Sequence, residues 1–353
     1  MGVAYKAVQW NRQKFVYDII LLTTVVFYLF FFEGISLHFS SDLDIKGIWI
    51  RAFGSAAFIL LHVILSIGPL SRLSPKFLPL LYNRRHMGVT MFILALLHAR
   101  DALAWYHDFG NLEPIVSLFV SNTHYADFIR FPFEALGGVA LVILFLMAAT
   151  SHDFWLTNLT APVWKALHMG VYLAYGLLVG HVVLGALETN THPLLTLAVG
   201  VGFVWIVGIH LITALREAQK DGAPLFGPPA QPQVDADGFV HVGSVQDIPE
   251  NRAKIAVVAG ERVAIFKYEG KISAISNVCQ HQNGPLGEGK IVDGCITCPW
   301  HGYQYLPESG ISPPPFTEKI PTFNVKLQGD QILVSAKPNL PGTPVVPAVI
   351  GQV

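Results

Sequence analysis

Charged residues are scarce in this chain of 353 residues. Asp, Glu, Lys and Arg make up 13% of the sequence, about half the share that is usual in soluble domains, whereas hydrophobic residues make up 52%. The formal net charge is −1, so the chain lacks the basic excess with which nucleic-acid-binding proteins attract phosphates. These absences argue against an ordinary soluble protein and predict a membrane protein without a nucleic-acid partner.

Cysteine is rarer still, and its three residues, Cys279, Cys295 and Cys298, cannot build a disulfide framework. A Gly-x-Gly-x-x-Gly motif between a strand and a helix is also missing, so we expect no flavin or nicotinamide-binding module. After the last predicted strand, residues 331–336, only a Pro/Gly-rich tail over 338–353 remains. We therefore expect no oxygenase active site and assign no catalytic residue.

Long apolar stretches fill the first two thirds of the sequence. Each has about 20 residues, which is enough for a helix to cross about 30 Å of hydrocarbon. No signal-peptide cleavage pattern precedes them. We predict an all-α bundle of six transmembrane helices, near residues 15–33, 48–70, 87–107, 131–150, 162–187 and 193–215.

Basic residues flank these predicted helices mainly on one side. That side carries Lys6, Arg12, Lys14, Arg72, Lys76, Arg84, Arg85, Lys165, Arg216 and Lys220. The other side carries only Lys46, Arg51 and Arg130. Because basic loops tend to remain in the cytoplasm, we expect both termini there, with the chain in a bacterial inner membrane.

The composition changes after the last apolar stretch, where Gly and Pro become frequent and short alternating segments predict a small all-β domain. This organisation predicts a multi-domain protein whose β domain lies on the cytoplasmic side. Its expected segments are 1–47 (N-terminal segment and first helix), 48–220 (the remaining helices), 221–237 (Gly/Pro-rich linker), 238–337 (β domain) and 338–353 (tail).

Two short motifs in the β domain each pair a cysteine with a histidine. Cys279-Gln-His281 is followed, after sixteen residues, by Cys298-Pro-Trp-His301-Gly. Two thiolates and two neutral imidazoles are the ligands of a Rieske [2Fe-2S] centre, which transfers one electron. A tetrahedral zinc site can use the same four ligands, but zinc motifs usually pair Cys with Cys and His with His. The ligand order therefore favours the iron–sulfur cluster.

These motifs, with Gly284-Pro285-Leu286 and Gly302 beside them, resemble the Rieske domain family over roughly residues 238–337. The resemblance implies that Cys279 and Cys298 bind one iron and that His281 and His301 bind the other. It also implies that Trp300 and Pro285 shield the cluster.

The sequence departs from the respiratory type of Rieske protein at three positions near the cluster. Gly284 and Trp300 stand where that type has a disulfide, and Tyr303 replaces a serine that donates to a bridging sulfide. Tyr305, the usual partner of a ligand cysteine, remains. Fewer hydrogen bonds to sulfur stabilise the reduced cluster less, so the resemblance implies the ferredoxin and oxygenase branch with a lower potential.

Histidine recurs inside the predicted transmembrane helices, where an ionisable side chain is costly and usually functional. These residues are His62, His86, His98, His168, His181 and His210. Thirteen residues separate His168 from His181, about 20 Å along a helix, which suits two haems stacked across a membrane. We expect His98 and His181 at one depth near the outer face and His86 and His168 near the inner face. For His62 and His210 we favour a structural role.

The surroundings of these histidines resemble the ferric-reductase-like transmembrane haem domain over roughly residues 48–187. The similar motifs are Arg84-Arg85-His86-Met87-Gly88, His98, and Trp164-Lys165-Ala166-Leu167-His168 with His181. The resemblance implies that His98 and His181 are axial ligands of one b-type haem. It further implies that His168 belongs to a second haem or its surroundings.

The ligands of a second haem stay open at this point. On a regular helix, His86 lies about 120° from His98, and His168 about 140° from His181. A shared face would need a distortion such as a π-bulge. His86 is therefore either a haem ligand or merely the start of its helix, with Arg84 pairing a haem propionate. The arginines alone also fit simple membrane anchoring.

Together these features predict a membrane electron-transfer component or oxidoreductase. We expect electrons from a cytoplasmic ferredoxin or reductase to pass through the [2Fe-2S] cluster and one or two b haems to an extracytoplasmic or quinone acceptor. One alternative is a quinol-linked, membrane-anchored Rieske carrier that supplies a soluble oxygenase. In another, the histidines are structural or sense haem, and the Rieske domain works alone.

Overall fold

The computed structural model describes residues 12–39, 44–77, 80, 84–127, 130–151, 159, 161–189, 193–220, 234–281, 284–299, 302–314 and 316–351. The chain separates into a helical unit, Trp10–Thr213, and a second unit that includes Ala214–Val353 and contains the strands. Of the predicted linker, residues 221–233 lie outside the described part.

Seven α-helices are described. They are α1 (Arg12–Phe39), α2 (Ile45–Leu73), α3 (Arg84–Tyr106), α4 (Pro114–Val120), α5 (Phe133–Ala149), α6 (Ala161–His181) and α7 (Pro193–Lys220). Capping residues set two of the starts: the Asp44 carboxylate accepts from Lys46 N at α2, and the Glu113 carboxylate accepts from Ile115 N and Val116 N at α4. After His181, α6 continues as a π-helical turn, Val182–Ala186, and a last turn, Leu187–Thr189.

Five helices, α1, α2, α3, α6 with its π-helical turn, and α7, are long and apolar enough to span a membrane. The remaining predicted span corresponds to α5, an apolar helix of 17 residues that rises only about 25 Å. Large apolar side chains are exposed on the helices, including Phe27, Val142 and Val204. Because lipid, not water, suits such surfaces, the chain is a multi-pass membrane protein.

The most extensive helix contacts form two hairpin-like pairs, α2 with α3 and α5 with α6. Residues at their contacts are small or aliphatic, as is common in membrane bundles. On α2, Ala52, Ala56 and Leu61 are buried, and on α5, Ala140 and Leu144 are buried. These two pairs therefore form the packed part of the helical unit.

Eleven antiparallel strands are described in the second unit: β1 (Phe239–Ser244), β2 (Arg252–Val258), β3 (Glu261–Tyr268), β4 (Lys271–Ser276), β5 (Lys290–Val292), β6 (Cys295–Thr297), β7 (Gln304–Tyr305), β8 (Thr322–Phe323), β9 (Val325–Gln328), β10 (Gln331–Ser335) and β11 (Ala348–Val349). They form three sheets with the orders β1-β10-β9, β11-β4-β3-β2 and β5-β6-β7, and β8 also pairs with β4.

Two-residue turns fix the register of three hairpins. Ala259-Gly260, Glu269-Gly270 and Asp293-Gly294 each have positive φ at both positions. That is the type I′ geometry, whose twist matches the twist of the flanking strands. The predicted all-β domain is therefore confirmed.

Strand β3 is buried on both faces and separates two hydrophobic clusters. Val263 and Ile265 point into one cluster, while Ala264, Phe266 and Tyr268 point into the other, following the two-residue period of a strand. The second cluster also contains the two predicted cysteine ligands, Cys279 and Cys298, with Tyr303 and Tyr305. The candidate cluster site is therefore part of a hydrophobic core.

The Pro/Gly-rich tail packs onto the β domain. Strand β11 pairs with β4, and the tail donates backbone hydrogen bonds from Asn339 to Thr322, from Val345 to Glu308 and from Ile350 to Gly270. The sequence suggested only an appendage, because proline-rich segments show no strand periodicity. In the structure the tail completes the edge of the second sheet.

Candidate electron-transfer sites

The predicted cluster ligands lie on two loops, one after β4 and one after β6. Cys279 N donates to Gly284 O at 3.0 Å, and Cys298 N donates to Tyr303 O at 2.8 Å, so each loop is closed by its own backbone. Gly302, with φ +72°, makes the tight turn behind Cys298 and donates to its carbonyl. The two loops therefore present their cysteines from fixed backbone turns.

Three of the four predicted cluster ligands fall in the described residues. Cys279 and Cys298 are buried and His281 is half-buried, whereas His301 and its neighbour Trp300 lie outside the described part of the chain. Among the described residues, no three His, Cys, Asp or Glu side chains converge as they would around one metal ion. A Rieske cluster does not require that arrangement, because its four ligands are shared between two irons.

Tyr305 contacts the first predicted cysteine ligand, as the resemblance implied. Its hydroxyl lies 3.6 Å from Cys279 Sγ and accepts a hydrogen bond from Gln280 N at 2.9 Å. Burial, followed by the negative charge of Cys279, raises the pKa of Tyr305 well above its usual range. The phenol therefore stays protonated at neutral pH, and its O–H can donate a hydrogen bond to the cysteine sulfur.

Tyr303 has a role that the sequence did not reveal. Its ring stacks on His281 with a centroid distance of 5.1 Å and an interplanar angle of 10°, and Phe316 packs edge-on against it at 5.0 Å. Sequence reasoning noted only that a serine was absent here. In the structure, the tyrosine supports the ring of a predicted ligand.

Cys295, the cysteine without a predicted ligand role, is fully buried at the start of β6. Burial, and then the charge of Asp293, raise the pKa of its thiol. Its position fits a structural role, because a buried neutral thiol behaves as a small apolar side chain.

In the helical unit, the structure brings the rings of His98 and His181 next to each other. Their ring centroids are 6.2 Å apart and the rings are nearly perpendicular, at 85°. His98 Nδ1 lies 2.9 Å from Ile50 O, and His181 Nδ1 lies 2.8 Å from Phe133 O. A carbonyl oxygen accepts only, so each Nδ1 carries the proton and each Nε2 keeps a lone pair.

This pair fits the haem that the resemblance implied. Two imidazoles bound to one iron through bonds of about 2.0 Å have ring centres roughly 6 Å apart, close to the observed separation. Metal-binding histidines also donate their other N–H to a carbonyl or carboxylate, as both rings do here.

The other two candidate haem residues have different surroundings. His168 Nδ1 bonds Trp164 O at 3.0 Å and its ring stacks on Trp164 at 3.8 Å, while its buried Nε2 has no hydrogen-bond partner in the described structure. His86 Nδ1 lies 2.8 Å from Asp18 Oδ2 of α1. The π-helical turn follows His181, so it does not alter the predicted angle between His168 and His181.

His62 has both ring nitrogens engaged. Nδ1 bonds Phe58 O at 2.8 Å, and Nε2 lies 3.1 Å from the hydroxyl of Tyr175, a residue that sequence reasoning missed. His210 Nδ1 similarly bonds Ile206 O of its own helix at 2.8 Å. These contacts support the structural roles expected for His62 and His210.

Residues 49–179 match the family described as ferric reductase like transmembrane component, and residues 238–324 match the Rieske [2Fe-2S] domain family. The chain joins a ferric reductase-like transmembrane component to a C-terminal Rieske domain. The Rieske domain implies a [2Fe-2S] cluster, and members of the ferric reductase family typically bind haem. Both imply electron transfer.

Similarity to curated proteins covers parts of the chain. The ferredoxin component of the alkene monooxygenase system of Xanthobacter autotrophicus is 29% identical over 101 residues, 28% of this chain and 83% of that protein. Cholesterol 7-desaturase nvd 1 of Ciona intestinalis is 33% identical over 111 residues, 31% of this chain and 22% of the desaturase. Magnetosome protein MamZ of Paramagnetospirillum magneticum is 27% identical over 157 residues, 44% of this chain and 22% of MamZ. The matches thus span about a fifth of the desaturase and of MamZ.

Proposed function

We propose that this protein carries single electrons between its Rieske domain on the cytoplasmic side and a b-type haem held by His98 and His181, towards an acceptor across the membrane. When bound, the two cofactors each accept and release one electron. The observation that carries the proposal is the facing pair of imidazoles, each with Nδ1–H donated to a backbone carbonyl. Such a pair is prepared for a metal, because no lone pair has to be freed by proton loss.

The Rieske side of the proposal depends on Cys279, His281, Cys298 and His301 as cluster ligands. Support comes from the buried cysteines, from Tyr305 beside Cys279 and from Tyr303 stacked on His281. An aromatic ring against a ligand histidine limits its rotation and excludes water. The protein residues thereby hold the ligand geometry fixed, as efficient electron transfer requires.

Orientation and partners belong to the same proposal. The excess of basic residues on one side supports a cytoplasmic position of the termini and of the Rieske domain, in a bacterial inner membrane. The donor would be a cytoplasmic ferredoxin or reductase, and the acceptor an extracytoplasmic protein or a quinone. His168, with a buried Nε2 free of hydrogen bonds in the described structure, is the candidate for a second haem near the inner face.

A second candidate function is favoured by the similarity to the ferredoxin component of an alkene monooxygenase system. Here the chain would be a membrane-anchored carrier in which quinol reduces the haem and the Rieske domain supplies a soluble oxygenase. The cofactor sites would be the same, and only the direction of electron flow would differ.

The test follows haem absorbance in purified protein after reduction by a pyridine-nucleotide-dependent ferredoxin reductase. We expect haem reduction in the wild type and in His241→Ala, a control at an exposed histidine of the Rieske domain. In His281→Ala, haem content should be unchanged but its reduction should stop. Haem reduction at the normal rate in His281→Ala would contradict the proposal. Faster reduction by quinol, with the cluster reduced after the haem, would support the carrier function instead.

A further inference from the structure

The two facing histidines are held by matching backbone sites on neighbouring helices. His98 on α3 bonds Ile50 O on α2, and His181 on α6 bonds Phe133 O on α5, and the partners are 48 positions apart in the sequence in both cases. In both cases a glycine follows the carbonyl residue by four positions, Gly54 after Ile50 and Gly137 after Phe133. The same local arrangement therefore occurs twice.

Each glycine lies directly against the histidine ring. A Cβ added at Gly54 would lie 2.8 Å from His98 Nδ1 and 3.0 Å from Cε1. A Cβ added at Gly137 would lie 2.8 Å from His181 Nδ1 and 2.9 Å from Cε1. Real Cβ atoms essentially never approach another atom as closely as 2.8–2.9 Å, and the same ring atoms are involved at both sites. Any side chain at either position would displace the imidazole.

Helix geometry explains why glycine stands four residues after the carbonyl. The carbonyl of residue i accepts from the N–H of residue i+4, and Cβ of residue i+4 tilts back towards the helix N-terminus. That Cβ lies beside the carbonyl oxygen and restricts access to it. Without it, a ring from the adjacent helix can reach the oxygen as a second donor.

Three other histidines of the described helices do not use this arrangement. His62, His168 and His210 each bond, through Nδ1, the carbonyl four residues earlier in their own helix. The Nδ1 side of those three rings is therefore held by their own helix, although Tyr175 of α6 also contacts His62 through Nε2. For His98 and His181, in contrast, a neighbouring helix holds the Nδ1 side of each ring.

We propose that Gly54 and Gly137 are positioning residues that open a helix carbonyl to the ligand histidine and thereby set the orientation and basicity of the haem ligands. This inference rests on the proposed function. Donation of Nδ1–H to a carbonyl makes an imidazole a stronger ligand for the oxidised metal. Loss of that bond should therefore raise the haem midpoint potential and weaken haem binding.

The experiment substitutes alanine at each glycine and uses controls with open space. The controls are Gly47→Ala, on the same helix as Gly54, and Gly176→Ala, on the same helix as His181. Neither added Cβ would meet an atom within 4 Å. We expect Gly54→Ala and Gly137→Ala to weaken haem binding about 10–100-fold, the usual effect of losing an outer partner of a metal ligand. The haem that still binds should show an altered low-spin EPR spectrum and a higher midpoint potential. The controls should match the wild type in all three measurements.

A double variant covers the case in which Gly54→Ala folds poorly. This variant combines Gly54→Ala with His98→Ala, which removes the clashing ring. It should therefore be no less thermostable than His98→Ala alone. If the double variant is clearly less thermostable than His98→Ala alone, the clash does not involve His98 and the inference is wrong. Wild-type haem content, EPR spectrum and midpoint in both glycine variants would also contradict it. A wild-type protein without bis-histidine haem would instead refute the proposed function.

Discussion

Removal of one hydroxyl should lower the potential of the Rieske cluster. Tyr305→Phe removes the hydroxyl that lies 3.6 Å from Cys279 Sγ and leaves the buried ring in place. A hydrogen bond to a ligand sulfur stabilises the reduced cluster more than the oxidised one, because reduction adds negative charge to the sulfur. Its loss therefore makes reduction less favourable.

The size of this effect follows from the strength of the hydrogen bond. A neutral hydrogen bond contributes about 1 kcal/mol and one to a charged group about 1.5–3 kcal/mol, so the two redox states differ by about 1 kcal/mol. For a one-electron couple, 1.4 kcal/mol is about 59 mV. We therefore expect a midpoint lower by roughly 40 mV. Since the pKa of Tyr305 is raised, the phenol stays protonated and the effect should persist across neutral pH.

The assay is a redox titration of the purified protein followed by EPR of the reduced cluster. Tyr268→Phe is the matched control, because Tyr268 belongs to the same buried group but its hydroxyl bonds Ser273 Oγ at 2.9 Å. The control should leave the cluster midpoint unchanged and change only stability. An unchanged or higher midpoint in Tyr305→Phe, with full iron content, would refute the reasoning.

Three further outcomes are expected. The purified protein should contain two irons and two acid-labile sulfides per Rieske domain, and the EPR signal of the reduced cluster should have an average g value below that of the free electron. Stoichiometric zinc in place of iron would show that the cluster assignment is wrong. His98→Ala and His181→Ala should each abolish the same low-spin haem spectrum, whereas His62→Ala should retain it; full haem in either of the first two would show that the pairing is wrong. Cys295 should resist alkylation in the folded protein, because its raised pKa lowers the thiolate fraction and its side chain is buried, and rapid labelling at neutral pH would contradict this.

Hydropathy was sufficient to predict the helical unit but not its details. Apolar runs show where a helix can cross lipid, and the structure has a helix at each of the six predicted places. They do not show that α5 stops at 17 residues, between Pro132 and Thr150, because hydropathy locates a helix end only to within a few residues. Helix α4 was missed because seven residues are too few for a periodic pattern.

For the candidate sites, too, the sequence predicted one part and missed another. Cysteine and histidine ligands have recognisable residue types and spacings, so they could be predicted. The residues that support them could not: Tyr303 meets His281 across two loops, and Tyr175 meets His62 from another helix. A main-chain carbonyl such as Ile50 O leaves no trace in the residue type, and only the glycine four positions later hints at its use.

The way in which each histidine is held separates two kinds of site in the membrane. Both rings of the His98–His181 pair are hydrogen-bonded to a carbonyl of a neighbouring helix. The positions of the two rings therefore depend on how α2 packs on α3 and how α5 packs on α6. His168 Nδ1 instead bonds Trp164 O of its own helix, and the imidazole also stacks on the Trp164 ring. Changes in helix packing should therefore disturb the haem of the pair first. An occupant of His168 should respond mainly to changes in α6 itself, because no second helix shares in orienting that ring through Nδ1.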